Sequence, residues 1–378
     1  MSGIYIHIPF CKQACHYCDF HFSTSLKKKD PLLVALQKEL VLRAEEFKDR
    51  EVTSLYFGGG TPSLLEGVEL ERLIDCVEEN YLLAKDAEIT LEANPDDLDR
   101  DKISTLASTR IDRLSIGIQS FLEEELRLMN RAHSAEQSHL SLELATEFFE
   151  NLSIDLIYGI PDQTIQKWQQ NLNWALKYNL PHISSYALTV EPRTALKSFI
   201  DKGLIPEIDE ELVEEHFYLL IDTLEKNGYL HYEISNFGKP EYFARNNTAY
   251  WQGKSYIGIG PSAHSYDGYG RSWNVRNNSK YIAGLDKGIL PLEREKLSKR
   301  DRYNEYVMTG LRTQWGVSLE KLKNDFGTAY HDYLLQQSAQ YIKDAKLFLE
   351  GDILRVTKSG KFLVDGIASH LFMLNLEK

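Results

Sequence analysis

Three of the four cysteines in this 378-residue chain stand within eight positions, Cys11-Lys12-Gln13-Ala14-Cys15-His16-Tyr17-Cys18. The spacing is C-x3-C-x2-C, and thiols clustered this tightly hold metal. A closed structural zinc site takes four protein ligands, so His16, Asp19 or His21 would have to complete one. A cubane iron–sulfur cluster has four irons. Three cysteines therefore leave one iron open, free to chelate a small molecule through an amino and a carboxylate group. Cys76 lies far away, on the apolar face of a helical-looking segment at 70–77, and reads as a core thiol.

The first half of the chain alternates strand and helix. Strands are expected at 4–8, 53–57, 88–93, 113–118, 152–158 and 183–188. Helices are expected at 31–47, 70–81, 99–106, 123–128, 135–149 and 166–178, from apolar residues recurring at helical spacing. Six βα units imply a parallel sheet with right-handed crossovers. Continuous apolar strands imply that both faces are covered. Six units fall short of the eight in a closed barrel, so the expected fold is α/β, a partial (β/α)6 barrel. No sequence repeat is visible.

From about residue 190 the pattern changes. A helix at 209–227 and a strand at 229–234 precede a glycine- and aromatic-rich stretch with no clean period. Helices follow at 301–315, 318–326, 329–347 and 367–373, with a hairpin reading at 352–356 and 361–364 around Ser359-Gly360. This implies a helical, winged-helix-like C-terminal domain. The domain reading is 1–235 for the partial barrel, 236–290 for an irregular connecting region, and 291–378 for the C-terminal domain.

The charge balance limits partners. Net charge is −13, which argues against a general nucleic-acid surface, because phosphate neutralisation needs clustered Lys and Arg. No apolar run is long enough to span a bilayer. The run 4–10 carries His7 and Pro9 and lacks a basic segment before it, so it does not read as a signal peptide. A cytoplasmic location is expected, without stable membrane insertion, and peripheral membrane contact stays open.

The notable polar and glycine-rich motifs fall at expected strand ends. The cysteine loop follows the first strand and Gly58-Gly59-Gly60-Thr61-Pro62 follows the second. Glu92 and Asn94-Pro95 end the third, Gln119-Ser120-Phe121 the fourth, Tyr158-Gly159-Ile160-Pro161 the fifth and Tyr186-Ala187 the sixth. Ligands of such sheets bind beyond the strands' C-terminal ends. Glycines there let the backbone approach a ligand closely. Asp155 sits inside an apolar strand and needs a partner.

These motifs resemble the radical S-adenosylmethionine (SAM) proteins, within them the oxygen-independent coproporphyrinogen III oxidase group. The resemblance rests on the cysteine spacing, Tyr5-Ile6-His7-Ile8-Pro9-Phe10-Cys11, Gly58–Pro62, Arg113–Phe121 and Asp155–Pro161. Tyr232–Phe237 and Gly258–His264 carry it further. It implies a [4Fe–4S] cluster on Cys11, Cys15 and Cys18. It places Tyr5, Tyr17, Gly59, Gly60, Thr61, Glu92, Gln119, Arg131, Asp155 and Ala187 on positions that contact SAM. The mixture suits SAM, which carries an anion, two cations and a diol; the Arg131 fork suits its carboxylate.

The group has two branches. The oxidases have a further cysteine two residues after the last ligand and an N-terminal extension; here Phe20 stands in that place and the chain begins almost at the first strand. Both features resemble the haem-chaperone branch, whose members bind haem and hand it to apoproteins. That branch carries His-Asn-x-x-Tyr-Trp. This chain has Asn246-Asn247-Thr248-Ala249-Tyr250-Trp251, so Asn247, Tyr250 and Trp251 match as haem-binding candidates and Asn246 replaces the histidine. A carboxamide is a poor substitute for imidazole on haem iron. His231, His264 or a cysteine stay open as ligands. The resemblance thus implies haem-accepting apoproteins and an electron donor as partners, with no residue assigned a catalytic role. Two other readings remain: anaerobic oxidative decarboxylation of coproporphyrinogen III, and a zinc-bound module without catalysis.

Overall fold

The computed structural model describes residues 2–47 and 50–374. Six parallel strands lie side by side in chain order. They are β1 (Ser2–Ile8), β2 (Glu51–Gly59), β3 (Leu82–Ala93), β4 (Arg113–Gln119), β5 (Asn151–Tyr158) and β6 (His182–Ala187). The connections carry α1 (Lys29–Arg43), α2 (Gly67–Asn80), α3 (Arg100–Ala107), α4 (Glu123–Leu128), α5 (Ala135–Phe148) and α6 (Ile165–Lys177). Local sequence sets these starts: Asp99, Ser134 and Thr164 each accept a backbone N–H of the first turn, satisfying donors a helix leaves free. Apolar strand residues such as Ile4, Ile6, Leu55, Leu91, Leu114 and Ile154 are fully buried between the sheet and its helices. The (β/α)6 expectation holds for this half.

The sheet is larger than the sequence suggested. After α7 (Ala195–Asp201) and α8 (Glu210–Lys226), β7 (Leu230–Glu233) and β8 (Asn236–Gly238) add antiparallel to the β6 edge. α9 (Arg245–Trp251) then crosses beneath the strands' N-terminal ends, where the Arg245 backbone N–H donates to Glu88 Oε1 at 2.9 Å. β9 (Tyr256–Ile259) pairs parallel with β1, followed by β10 (His264–Tyr266), β11 (Gly270–Asn274), α10 (Asn278–Asp286) and β12 (Leu292–Lys296). The order is β12-β11-β10-β9-β1-β2-β3-β4-β5-β6-β8-β7. The stretch 236–290 is therefore ordered sheet and helix, and the irregular reading of it is corrected. Strands of three to five residues, interrupted by glycine, are too short to show a period. Gly258 illustrates the cost: a Cβ there would stand 2.1 Å from the His264 carbonyl oxygen.

One buried carboxylate ties this added edge to α1. Glu39 accepts from Arg43 Nη1 at 3.2 Å, the Gly260 N–H at 2.9 Å, Asn274 Nδ2 at 2.8 Å and the Tyr281 hydroxyl. Arg43 in turn donates to the Gly258 carbonyl at 2.9 Å and Ser265 Oγ at 3.1 Å.

The C-terminal unit has its own core, from Tyr303 to Leu371. It comprises α11 (Lys299–Leu311), β13 (Val317–Ser318), α12 (Leu319–Phe326), α13 (Thr328–Lys343), β14 (Leu347–Glu350), β15 (Ile353–Val356) and α14 (Val364–His370). Its strands form a three-stranded antiparallel sheet. Two expectations are corrected. α13 ends at Lys343, and Ala345 turns at φ +52°. The hairpin is β14–β15 around Gly351-Asp352, while Lys358–Leu363 is a 3-10 turn. The last four positions of the expected 291–378 domain lie outside the described residues. No helix among the described residues is long and apolar enough to cross a membrane.

Candidate functional site

The cysteine loop is pinned from several sides by bonds that do not involve sulfur. The Cys11 N–H donates to the Ser23 carbonyl at 3.1 Å, and the Ser23 N–H to Pro9 at 2.9 Å. The His16 N–H reaches the Met129 carbonyl at 3.0 Å, and the Leu196 N–H reaches that of His16 at 2.8 Å. Gln13 Nε2 donates to the Asn130 carbonyl at 3.0 Å, and Asn130 Nδ2 donates to the Ala14 carbonyl at 2.8 Å. Lys12 bridges Asp96 and Asp97 after β3. Cys11, Cys15 and Cys18 are half-buried and free. Burial pushes the Cys11 thiol up to about 11, opposed by the Thr61 hydroxyl and the Arg131 charge, and raises Cys18 too. Metal ligation must displace those protons. Among the described residues no three His, Cys, Asp or Glu side chains gather round a point where one ion would sit, yet Cys15 and Cys18 are both near enough for their charge to act on Cys11.

Beside the sulfurs stand the ends of β2 to β5. Gly59, at φ +112°, donates its N–H to Glu92 Oε2 at 3.0 Å, and Tyr56 donates to Glu92 Oε1 at 2.9 Å. A Cβ on Gly60 would lie 2.5 Å from the Phe10 carbonyl oxygen, so only glycine lets the chain pass this close to the cysteine loop. Asn94 Nδ2 donates to Thr61 Oγ1 at 3.1 Å. Arg131 bridges the two halves of the mouth. Its guanidinium is 3.4 Å from Cys15 Sγ and 3.5 Å from the Tyr17 hydroxyl. It also donates to Asn94 Oδ1 at 2.8 Å and the Gly117 carbonyl at 2.9 Å. Its Nε is buried with no partner, which is uncommon for a buried donor. The β4 register shifts between Ile116 and Gln119, and Gln119 sits at φ +64°. Its Nε2 folds back to 3.0 Å from where a Gly117 Cβ would be.

Two acids face this space. Burial, with Asp155 adding to it, pushes Glu92 up to about 7 against the Tyr56 and Gly59 donors. Asp155 is raised by burial and steadied by Ser184 and Ser115. The folded Glu92 keeps its proton to higher pH than the usual 4.5. The stability it contributes is full below about 4.5 and is lost as pH rises towards 7. Glu92→Gln should therefore flatten the fall in unfolding free energy of the ligand-free protein between pH 5 and 8. Denaturant midpoints at several pH values check this; the same slope in the variant refutes it.

The structure brings Tyr17, Gly59, Gly60, Thr61, Glu92, Gln119, Arg131 and Asp155 to one mouth with the cysteines, and Ala187 ends β6 on its rim, exposed. Tyr5 lies deeper, stacked on Tyr56 with ring centroids 5.9 Å apart. Asn247, Tyr250 and Trp251 are not at the mouth. They sit on α9, beneath the strands. A cavity of about 750 Å³ joins the two ends along the inner face of β1, past Gly3, Tyr5 and His7 to Phe20 and His21. His264 lines it. His231 does not: its ring nitrogens meet the Ile234 carbonyl at 3.0 Å and Lys361 Nζ at 2.8 Å. Residues that sequence reasoning passed over are Tyr56 and His7. Tyr56 shares a strand face with Gly58, a signal the alternation carries. His7 holds the Tyr5 hydroxyl at 3.2 Å and the His21 carbonyl at 3.0 Å.

Parallel strands that deliver a three-cysteine loop, a glycine cradle and a bridging arginine to one mouth define a radical SAM protein, and the model of the radical SAM superfamily matches residues 5–175. The HemN C-terminal domain model matches residues 297–363. The heme chaperone HemW of Escherichia coli is 38% identical, covering 97% of this chain and 96% of that one. The HemW of Lactococcus lactis is 34% identical over 97% and 98%. This chain belongs to the HemW family. In the solved structures, it is similar to coproporphyrinogen III oxidase (HemN) from E. coli, a radical SAM enzyme, with a TM-score of 0.85 at 26% identity over 98% of this chain and 90% of that one.

Proposed function

We propose that this chain is a haem chaperone that carries a [4Fe–4S] cluster and SAM. Cys11, Cys15 and Cys18 would hold three irons, leaving the fourth for SAM. When bound and reduced, cluster and SAM together supply a 5′-deoxyadenosyl radical and methionine. The protein's own part is to bind and orient. Arg131 would be the cation for the SAM carboxylate. Glu92 and the Gly59–Thr61 backbone would take its ammonium group, and Asp155 and Gln119 its ribose. Tyr17 and Tyr5 wall the site from water. The fit rests on the unpartnered Arg131 Nε and on the donor set gathered there, three free thiols beside a guanidinium and a buried carboxyl group.

Haem would be received and passed to apoproteins in the cytoplasm, with an electron donor serving the cluster. The observation that carries this reading over decarboxylation is Phe20. Where the oxidase branch has a cysteine, an exposed phenylalanine stands, 72% accessible, on the wall of the 750 Å³ cavity. The full-length likeness to a coproporphyrinogen oxidase keeps the second reading in view. Protein reconstituted anaerobically, given SAM, a reductant and coproporphyrinogen III, should yield no decarboxylated product by mass. Loss of two carboxyl groups over many turnovers would replace the chaperone reading with the enzyme.

A further inference from the structure

A second cavity, of about 620 Å³, lies outside the barrel between α9 and the C-terminal unit. We propose that this cavity, and not the barrel lumen, is the haem site, with Tyr250 as the axial ligand to iron. The inference rests on the chaperone reading and says where its cargo sits.

The walls suit a flat aromatic dianion. Trp251 and Tyr250 come from α9, Tyr256 from β9, Tyr269 from the turn before β11, and Tyr306 and Trp315 from the C-terminal unit. Rings of this kind stack on an extended π-system, and the volume falls in the range of small-molecule pockets, roughly 300–1,000 Å³. Three cations line the same space in a chain of net charge −13. Arg271 pairs with Glu305 at 2.9 Å, and Lys321 pairs with Asp325. Arg302 has no side-chain hydrogen bond or ion pair among the described residues. Its guanidinium lies 5.3 Å from the Tyr269 ring centroid, and its Nε is buried without a partner. A guanidinium left unpaired in an aromatic pocket is a receptor for a carboxylate, which it binds through two N–H donors. The two carboxylates of a haem supply what Arg302 lacks, with Lys321 or Arg271 within the same wall for the second.

Iron needs a donor, and no histidine, cysteine or methionine lines this cavity. Its donors of the kind that ligate haem are tyrosines. Tyr250 is 44% accessible and hydrogen-bonds the Tyr256 hydroxyl, and the charge of Arg271 acts on both phenols. On ligation the phenol O–H gives its proton to solvent as the Fe(III)–O bond forms, and the iron keeps its oxidation state. The barrel cavity shares Tyr250, Trp251 and Tyr256 and offers His264 besides, its His7 and His21 being engaged, His21 with Asn278 Oδ1 at 2.7 Å; Arg302, Tyr269 and Lys321 line the outer cavity alone and so distinguish the two.

Ferric haem is titrated into the full-length, cluster-loaded protein and followed by absorbance and electron paramagnetic resonance. Wild type should show high-spin ferric haem with a phenolate-to-iron charge-transfer band. Arg302→Glu should weaken binding at least tenfold, and Tyr250→Phe should abolish the band. Both should keep wild-type iron content and SAM binding, which also shows that they fold. Tyr269→Ala, at a 67% accessible position, should weaken binding several-fold with no folding risk. His264→Ala should change nothing. Unaltered affinity in Arg302→Glu and Tyr269→Ala, even with a changed spectrum in Tyr250→Phe, or loss of haem in His264→Ala, overturns the site while the chaperone reading stands; an unaltered spectrum in Tyr250→Phe overturns the ligand. A wild type that takes up no haem overturns both.

Discussion

Cys15→Ala should strip the chain of iron. Iron and sulfide should drop from about four each per chain, the content of one cubane, to background, and the brown colour should vanish. Cys15 is the sulfur that Arg131 touches, in the middle of the loop. Two remaining thiols cannot hold three irons of a cubane. The loop itself should survive, because it is fixed by backbone bonds to Ser23, Met129 and Leu196 that no sulfur makes. The metal-free variant should therefore unfold within about 1 kcal/mol of metal-free wild type, the size of an ordinary single substitution. Iron and sulfide measured on anaerobically reconstituted protein decide the matter. A variant that keeps its cluster would end the assignment of these ligands.

Glu39→Ala should be the most damaging single change to the fold. It removes the acceptor for Gly260, Asn274 and Tyr281 and leaves the Arg43 guanidinium buried with one partner fewer. Breaking a buried pair by deleting one member costs about 3–5 kcal/mol, a large share of the total stability of a domain. Urea unfolding should show the midpoint falling by an amount of that order. The double variant Glu39→Leu, Arg43→Met should recover much of the loss, since it leaves no charge stranded. If the single variant unfolds like wild type, the network does not hold β9–β11 to α1.

The sequence carried the barrel half well. Long apolar strands and capped amphipathic helices each bury one recognisable pattern, so α4 falls at Glu123–Leu128 as expected. The mouth was legible too, because the cysteine spacing, the glycine run and Arg131 each carry their chemistry in residue type. What was hidden is pairing at a distance. Strands such as β8 and β10 are three residues long, and the partner that makes them strands is far away in the chain. Tyr56 was within reach of the alternation it shares with Gly58, whereas His7 could not be told from an ordinary strand residue until the register set Gly58 against it. Arg302 reads as one more helix cation in sequence; only the fold shows that it lacks an acid and faces a ring.

β1 lies between β2 and β9, the one formed early and the other late. About 200 residues separate the end of β2 from the start of β9. At roughly 5–20 residues per second of synthesis, β1 waits about 10–40 s on the ribosome with one edge unpaired. An open edge is a template for wrong partners, and here it belongs to the strand that leads into the cysteines. Iron offered during that interval would meet a loop whose supporting sheet is half built. The order of translation thus sets a natural delay between making the ligands and being able to keep what they bind.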